Sequence, residues 1–162
     1  MGSFKRSLKH LLRFLVDFEI AAINSVQAAF PDCRISGCFY HLCRSVARHV
    51  ASLGLKKEYD SNKDFNLQVK SLMSLSFVPP EEVLAVFDQL SAKFPDTEAC
   101  DRLLSYFKKT YIQDIARNGR IKDPLFKIEL WNHYEDALAC VPKTTNCTGN
   151  NLDTVLAVLN SV

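Results

Sequence analysis

The chain has 162 residues, 48% of them apolar and 23% charged, with a formal net charge of +2 at pH 7. Such a length suits one globular domain with room for a core, and a charge so close to neutrality excludes a global polyelectrolyte field. No run of about 18 apolar residues occurs, which excludes a membrane-spanning helix.

The first segment, residues 1–13, is basic. Lys5, Arg6, Lys9, His10 and Arg13 interleave with Leu8, Leu11 and Leu12, and no acid precedes Asp17. Three readings stand: a surface helix running into a strand, a presequence, or a basic helix lying on a membrane surface. Myristoylation is not expected, because Arg6 occupies the position that needs Ser or Thr.

Residues 14–54 read as strand, helix, strand, helix. Phe14-Leu15-Val16 is a short apolar run that stops at Asp17, as a buried strand does. Phe18, Ala22, Val26, Ala29 and Phe30 repeat at helical spacing, and Pro31-Asp32 closes that helix. Residues 33–39 alternate in the manner of a second strand. Leu42, Val46, Val50 and Leu53 then form one helical stripe, with Arg44 and Arg48 on another face and Gly54 as the stop. The order is that of a βαβ-containing layer.

Residues 55–141 are expected to be all-helical. Phe65, Val69, Leu72 and Met73 keep helical spacing; Pro79-Pro80-Glu81-Glu82 opens a helix buried through Val83, Val86, Phe87 and Leu90. Pro95-Asp96-Thr97-Glu98 opens another carrying Leu103, Leu104 and Phe107, and Arg117-Asn118-Gly119-Arg120 makes a turn. Trp131, Tyr134 and Leu138 mark a short helix, and Val155, Leu156 and Leu159 a last one within 142–162. The expected class is α/β, helix-dominated.

Six cysteines, at 33, 38, 43, 100, 140 and 147, lie in apolar or helical patterns and read as reduced thiols. The sequon at Asn146 matters only in a secreted chain. Phe77, Phe87, Phe107, Tyr111 and Trp131 fall on helical stripes and are expected in the core.

Several residues are candidates for chemistry. Asp17 sits at a strand end, where active-site acids of α/β layers gather, although such an Asp also serves as a helix N-cap. Arg44, Arg48, Lys56 and Lys57, and Arg117 with Arg120, are candidate phosphate contacts, against the alternative of a merely solvated face. Cys38-Phe39-Tyr40-His41 would join Cys33, Cys43 and His49 in a zinc reading. The competing reading is a packed Cys38 thiol with His41 hydrogen-bonded near the strand end.

The series Val16-Asp17-Phe18-Glu19, Ala21-Ala22, Ala29-Phe30-Pro31, Gly37-Cys38-Phe39-Tyr40-His41-Leu42, Gly54-Leu55 with Tyr59, Leu75-Ser76-Phe77-Val78-Pro79, Tyr106-Phe107, Thr110-Tyr111-Ile112 and Leu130-Trp131-Asn132-His133-Tyr134 resembles, in order and spacing, the C-terminal part of the transposase domain of Mutator-like DNA elements. The resemblance runs from about Val16 to Asn146. It implies a partial RNase H-like layer of about two strands followed by a helical insertion. It also implies a parent enzyme with three acids holding two Mg²⁺ or Mn²⁺ ions, Asp17 matching the second acid and Cys38 and His41 a motif between the second and third.

Two such metals, about 3.5–4 Å apart, cannot be anchored by one carboxylate. No acid lies upstream of Asp17; near Gly149, where the third is implied, the only acid after Pro142 is the displaced Asp153, and Lys143 and Thr145 depart from the family pattern. The expectation is therefore a truncated or decayed, non-catalytic remnant without a cofactor of its own. It would retain weak association with DNA, with a fuller transposase copy or with itself, and no membrane contact. Nuclear residence is implied by the resemblance alone; without it the location is cytoplasmic. A domesticated protein-interaction module, or a chain completing a nuclease site in trans, are the alternatives. Unpaired strand edges further predict a marginally stable monomer.

Overall fold

A computed structural model describes residues 13–139. The basic segment up to Leu12, Cys140, Cys147, Asp153 and the helix expected at 155–159 lie outside the described residues.

Strand β1 (Arg13–Val16) pairs in parallel with β2 (Arg34–Gly37), with Arg13 opposite Arg34 and Val16 opposite Gly37. A parallel pair needs a crossover of a dozen residues or more, and helix α1 (Ile20–Ala29) supplies it. The far edge of β1 carries no strand among the described residues. Both strands fall where the apolar run and the alternation place them, but the broader RNase H-like layer is not established by two strands.

Register sets an electrostatic problem at the amino ends of the pair. Like charges directly opposite each other on neighbouring strands are destabilising, and here two arginines are partners. Asp136, only 3% exposed, resolves it: Oδ2 lies 2.6 Å from Arg13 Nη2 and Oδ1 3.2 Å from Arg34 Nη1. Arg13 also donates to the buried Ser36 hydroxyl at 3.0 Å. Asp136 thus clips both strands to the C-terminal part of the described chain.

Helix α2 (Phe39–Ser52) buries Phe39, Leu42, Val46 and Val50. Gly54 ends it with φ of +75°. Its N–H donates to Ala51 and that of Leu55 to Val50, the paired bonds of a Schellman stop that only glycine enters without strain. Helix α3 (Lys56–Ser61) follows, then α4 (Lys63–Ser74), whose Asn62 cap accepts from the N–H groups of Asp64 and Phe65. A 3-10 turn at Leu75–Phe77 leads to α5 (Val83–Ser91), and α6 (Glu98–Phe107) starts from Thr97, whose hydroxyl accepts from the Cys100 N–H. The core joins the inner faces of α2, α4, α5 and α6 with Tyr111, Phe126 and Trp131. All five aromatics assigned to the core are buried.

Three expectations need correction. The region after residue 55 is not all-helical: β3 (Asp114–Ile115) and β4 (Ile121–Lys122) form an antiparallel hairpin around Gly119, whose φ is +78°. Two-residue strands are too short to show a period in the sequence. The Pro79-Pro80-Glu81-Glu82 stretch is a turn, closed by Glu82 N–H to Pro79 C=O, so the helix begins at Val83. Trp131 and Tyr134 belong to separate helices, α7 (Ile128–Trp131) and α8 (Tyr134–Leu138), and Leu138 is 66% exposed. Asn132 causes the break. Its side chain donates to the Val78 carbonyl at 2.8 Å and accepts from the Tyr134 N–H at 3.0 Å, while the His133 N–H donates to Ser76. These long-range bonds satisfy polar groups that a continuous helix would have to use otherwise.

Among the described residues no helix is long and apolar enough to cross a membrane.

Candidate functional site

The carboxyl ends of β1 and β2 open onto a cavity of about 680 Å³. Its first wall is the loop leaving β1. Asp17 and Glu19, both exposed, line it together with Phe18 and Ile20. A helix starting directly after Asp17 would turn Glu19 to another face. Instead the Glu19 N–H closes onto the Asp17 carbonyl at 2.7 Å and the helix begins only at Ile20. Both carboxylates therefore stay on the cavity rim, and no side-chain bond from Asp17 caps α1.

Phe18 anchors this loop. Its ring meets Tyr111 and Phe126 edge-on, with centroids 5.8 and 5.1 Å away. The close approach of Phe18 to β2 explains Gly37, where a Cβ would lie 2.6 Å from the ring and 3.3 Å from the Leu130 carbonyl.

The second wall is α2. His41, Arg44, Ser45 and Arg48 line the cavity at helical spacing. Among the described residues no carboxylate engages Arg44 or Arg48. His41 departs from expectation: its Nδ1 is buried and makes no hydrogen bond, and its ring contacts Tyr40. The Cys38 thiol is packed, 1% exposed, and the backbone N–H of Cys38 continues the strand ladder to Val16.

The third wall comes from far along the chain. Helix α6 runs into a π-helical turn at Lys108–Ile112, and such turns re-aim side chains at functional sites. This one presents Thr110 to the cavity, while its carbonyls at Lys109 and Thr110 take the N–H groups of Leu125 and Phe126. The Tyr106 hydroxyl lies 2.9 Å from Ser45 Oγ. Burial, then the neighbouring Tyr106, pushes the Tyr111 hydroxyl well above its usual pKa of 10.0. The His49 imidazole stacks on Tyr106 at 3.7 Å, and burial together with Arg102 holds its pKa below the ordinary 6.5.

Comparison with known proteins identifies no relative. No family model, curated protein or solved structure matches the chain.

The site is therefore read from its own geometry. It brings together Asp17, His41, Arg44 and Arg48, and leaves out the other proposed cations. Lys56 pairs with Asp60 within α3 and sits 5.9 Å over the Tyr59 ring. Lys57 is exposed on the same helix, and Arg117 and Arg120 are exposed at the hairpin turn. None of these four lines the cavity. Glu19, Ser45, Tyr106 and Thr110 were not named as site residues; Glu19, Tyr106 and Thr110 stand in the motif series, and Ser45 lies between the two arginines.

As a metal centre the donor set does not fit. Asp17 and Glu19 offer two carboxylates, and among the described residues no three His, Cys, Asp or Glu side chains come together to hold an ion. A two-metal clamp needs more oxygen donors than that. The zinc grouping of Cys38 with Cys33, Cys43 and His49 likewise does not assemble. Burial, then nearby Cys38, pushes the Cys43 thiol up to about 12.

Proposed function

We propose that this chain is a non-catalytic relative of the Mutator-like transposase domain that holds DNA through phosphate contacts at the β1–β2 cavity. The observation that carries the reading is the pair Arg44 and Arg48, side by side on α2, without carboxylate partners among the described residues, on the wall of a concave site at a strand terminus. Cations one helical turn apart match successive backbone phosphates, and neutralising each phosphate releases counterions. Strand ends in α/β layers are the usual place for ligands. The resemblance in sequence, which includes Asp17 and Cys38-x-x-His41, motivates the same reading.

The test is DNA binding by the purified full chain, followed by fluorescence anisotropy across a salt series. Arg44→Ala with Arg48→Ala should weaken binding by about 10-fold or more and flatten the log–log salt slope by about 2, one phosphate per arginine. Lys57→Ala should change little. Unaltered affinity and slope in the double variant would remove the basis of the proposal. Incubation of the chain with supercoiled DNA and Mg²⁺ or Mn²⁺ should leave it uncut; nicking abolished by Asp17→Ala would establish a catalyst instead.

A further inference from the structure

We propose that the cavity takes a single unpaired nucleotide, its phosphate on Arg44 and Arg48 and its base edge toward Asp17 and Glu19; this rests on the DNA-association reading above. Three observations lead there. First, the charges are segregated. Two acids stand on one wall and two arginines on the other, and no ion pair between them closes the site. A phosphate alone would satisfy the arginines and be repelled by the acids. A ligand with an anion at one end and hydrogen-bond donors at the other satisfies both, and a nucleotide whose base carries an exocyclic amine is such a ligand.

Second, exposed apolar side chains line the cavity alongside the charged ones. Ile20 and Leu125 both line the cavity and are 47% and 59% exposed. Large exposed aliphatic side chains in the lining suit the flat face of a base, whereas a phosphate-only site has no use for them.

Third, the size agrees. At about 680 Å³ the space falls in the range of small-molecule sites, about 300–1,000 Å³. A duplex keeps its bases stacked inside and touches a concave site only with its backbone, so it leaves the acid wall and the apolar side chains unused. An unpaired nucleotide uses all three.

The test compares labelled oligo-dC and oligo-dT of 12 nucleotides with a hairpin duplex of the same total length, by anisotropy at one salt concentration. Oligo-dC should bind at least 10-fold more tightly than the duplex, and more tightly than oligo-dT. Ile20→Ala with Leu125→Ala should weaken oligo-dC by about 5- to 10-fold and leave the duplex unchanged. Asp17→Asn with Glu19→Gln should erase the preference for oligo-dC over oligo-dT, since an amide both donates and accepts. Both positions are exposed, and a circular dichroism spectrum identical to the parent's checks the fold of each variant. Equal affinity for single strand and duplex, indifferent to the Ile20 and Leu125 variant, overturns the unpaired-nucleotide site while the arginine-dependent DNA association stands. Absence of binding to every probe overturns both.

Discussion

Replacing Asp136 with alanine is expected to destabilise the fold more than any change on its surface. In the native chain this carboxylate is 3% exposed and faces Arg13 at 2.6 Å and Arg34 at 3.2 Å. Arg13 is 19% exposed and Arg34 43%, so the two contacts differ in weight. An exposed pair contributes only about 0–1 kcal/mol, whereas stripping one partner from a buried pair costs about 3–5 kcal/mol, because the remaining charge stays desolvated. The Arg13 contact sits near the lower end of that range, which gives a loss of about 3 kcal/mol. For a chain of this size that corresponds to a fall in Tm of about 6–12 °C. Urea unfolding followed by circular dichroism measures it directly. Arg13→Ala should cost far less in the Asp136→Ala background than in the parent, since the pair acts as a unit. A loss below about 1 kcal/mol, or additive single and double variants, would refute the reasoning that Asp136 clips the strand pair to α8.

Gly37→Ala puts a Cβ within 2.6 Å of a Phe18 ring that Tyr111 and Phe126 hold in place; overpacking of this kind costs about 1–3 kcal/mol, and an unshifted urea midpoint would mean that the ring moves freely. Alkaline pH should destabilise the fold. Burial raises the Cys43 thiol from 9.0 to about 12 and moves the Tyr59 and Tyr111 hydroxyls upward as well. The unfolded chain therefore ionises first, so stability is complete below about pH 9 and declines as pH rises toward 12. Cys43 alone should account for about 3 kcal/mol by pH 11. Urea midpoints measured between pH 8 and 11 check this, and a level profile would contradict it.

What was legible in the residues was whatever repeats locally. The apolar run before Asp17 and the four-residue spacing of Leu42, Val46 and Val50 ending at Gly54 carry their own structural instructions, and both elements stand where those instructions put them. The illegible parts are those decided at a distance. Asn132 splits a helix because its amide finds Val78, 54 positions away. Asp136 finds Arg13 across 123 positions. The same holds for the cavity. Arg44 and Arg48 announce themselves on one helix face, but Tyr106 reaches Ser45 from 61 residues on, and no local pattern marks that meeting. Glu19 reaches the cavity for a smaller reason: a helix that starts only at Ile20 leaves it lining the same space as Asp17.

Trp131 is the chain's one tryptophan, wholly enclosed, with its indole N–H donating to the Tyr111 carbonyl and its ring edge-on to Phe107 and Tyr111. A solitary indole thus sits against the aromatic cluster of Tyr111 and Phe107, and Tyr111 also supports Phe18. Its emission should be shifted to the blue and shielded from aqueous quenchers, and any loosening of that cluster should redden it. The molecule carries its own optical gauge, and no label is needed to watch the core loosen.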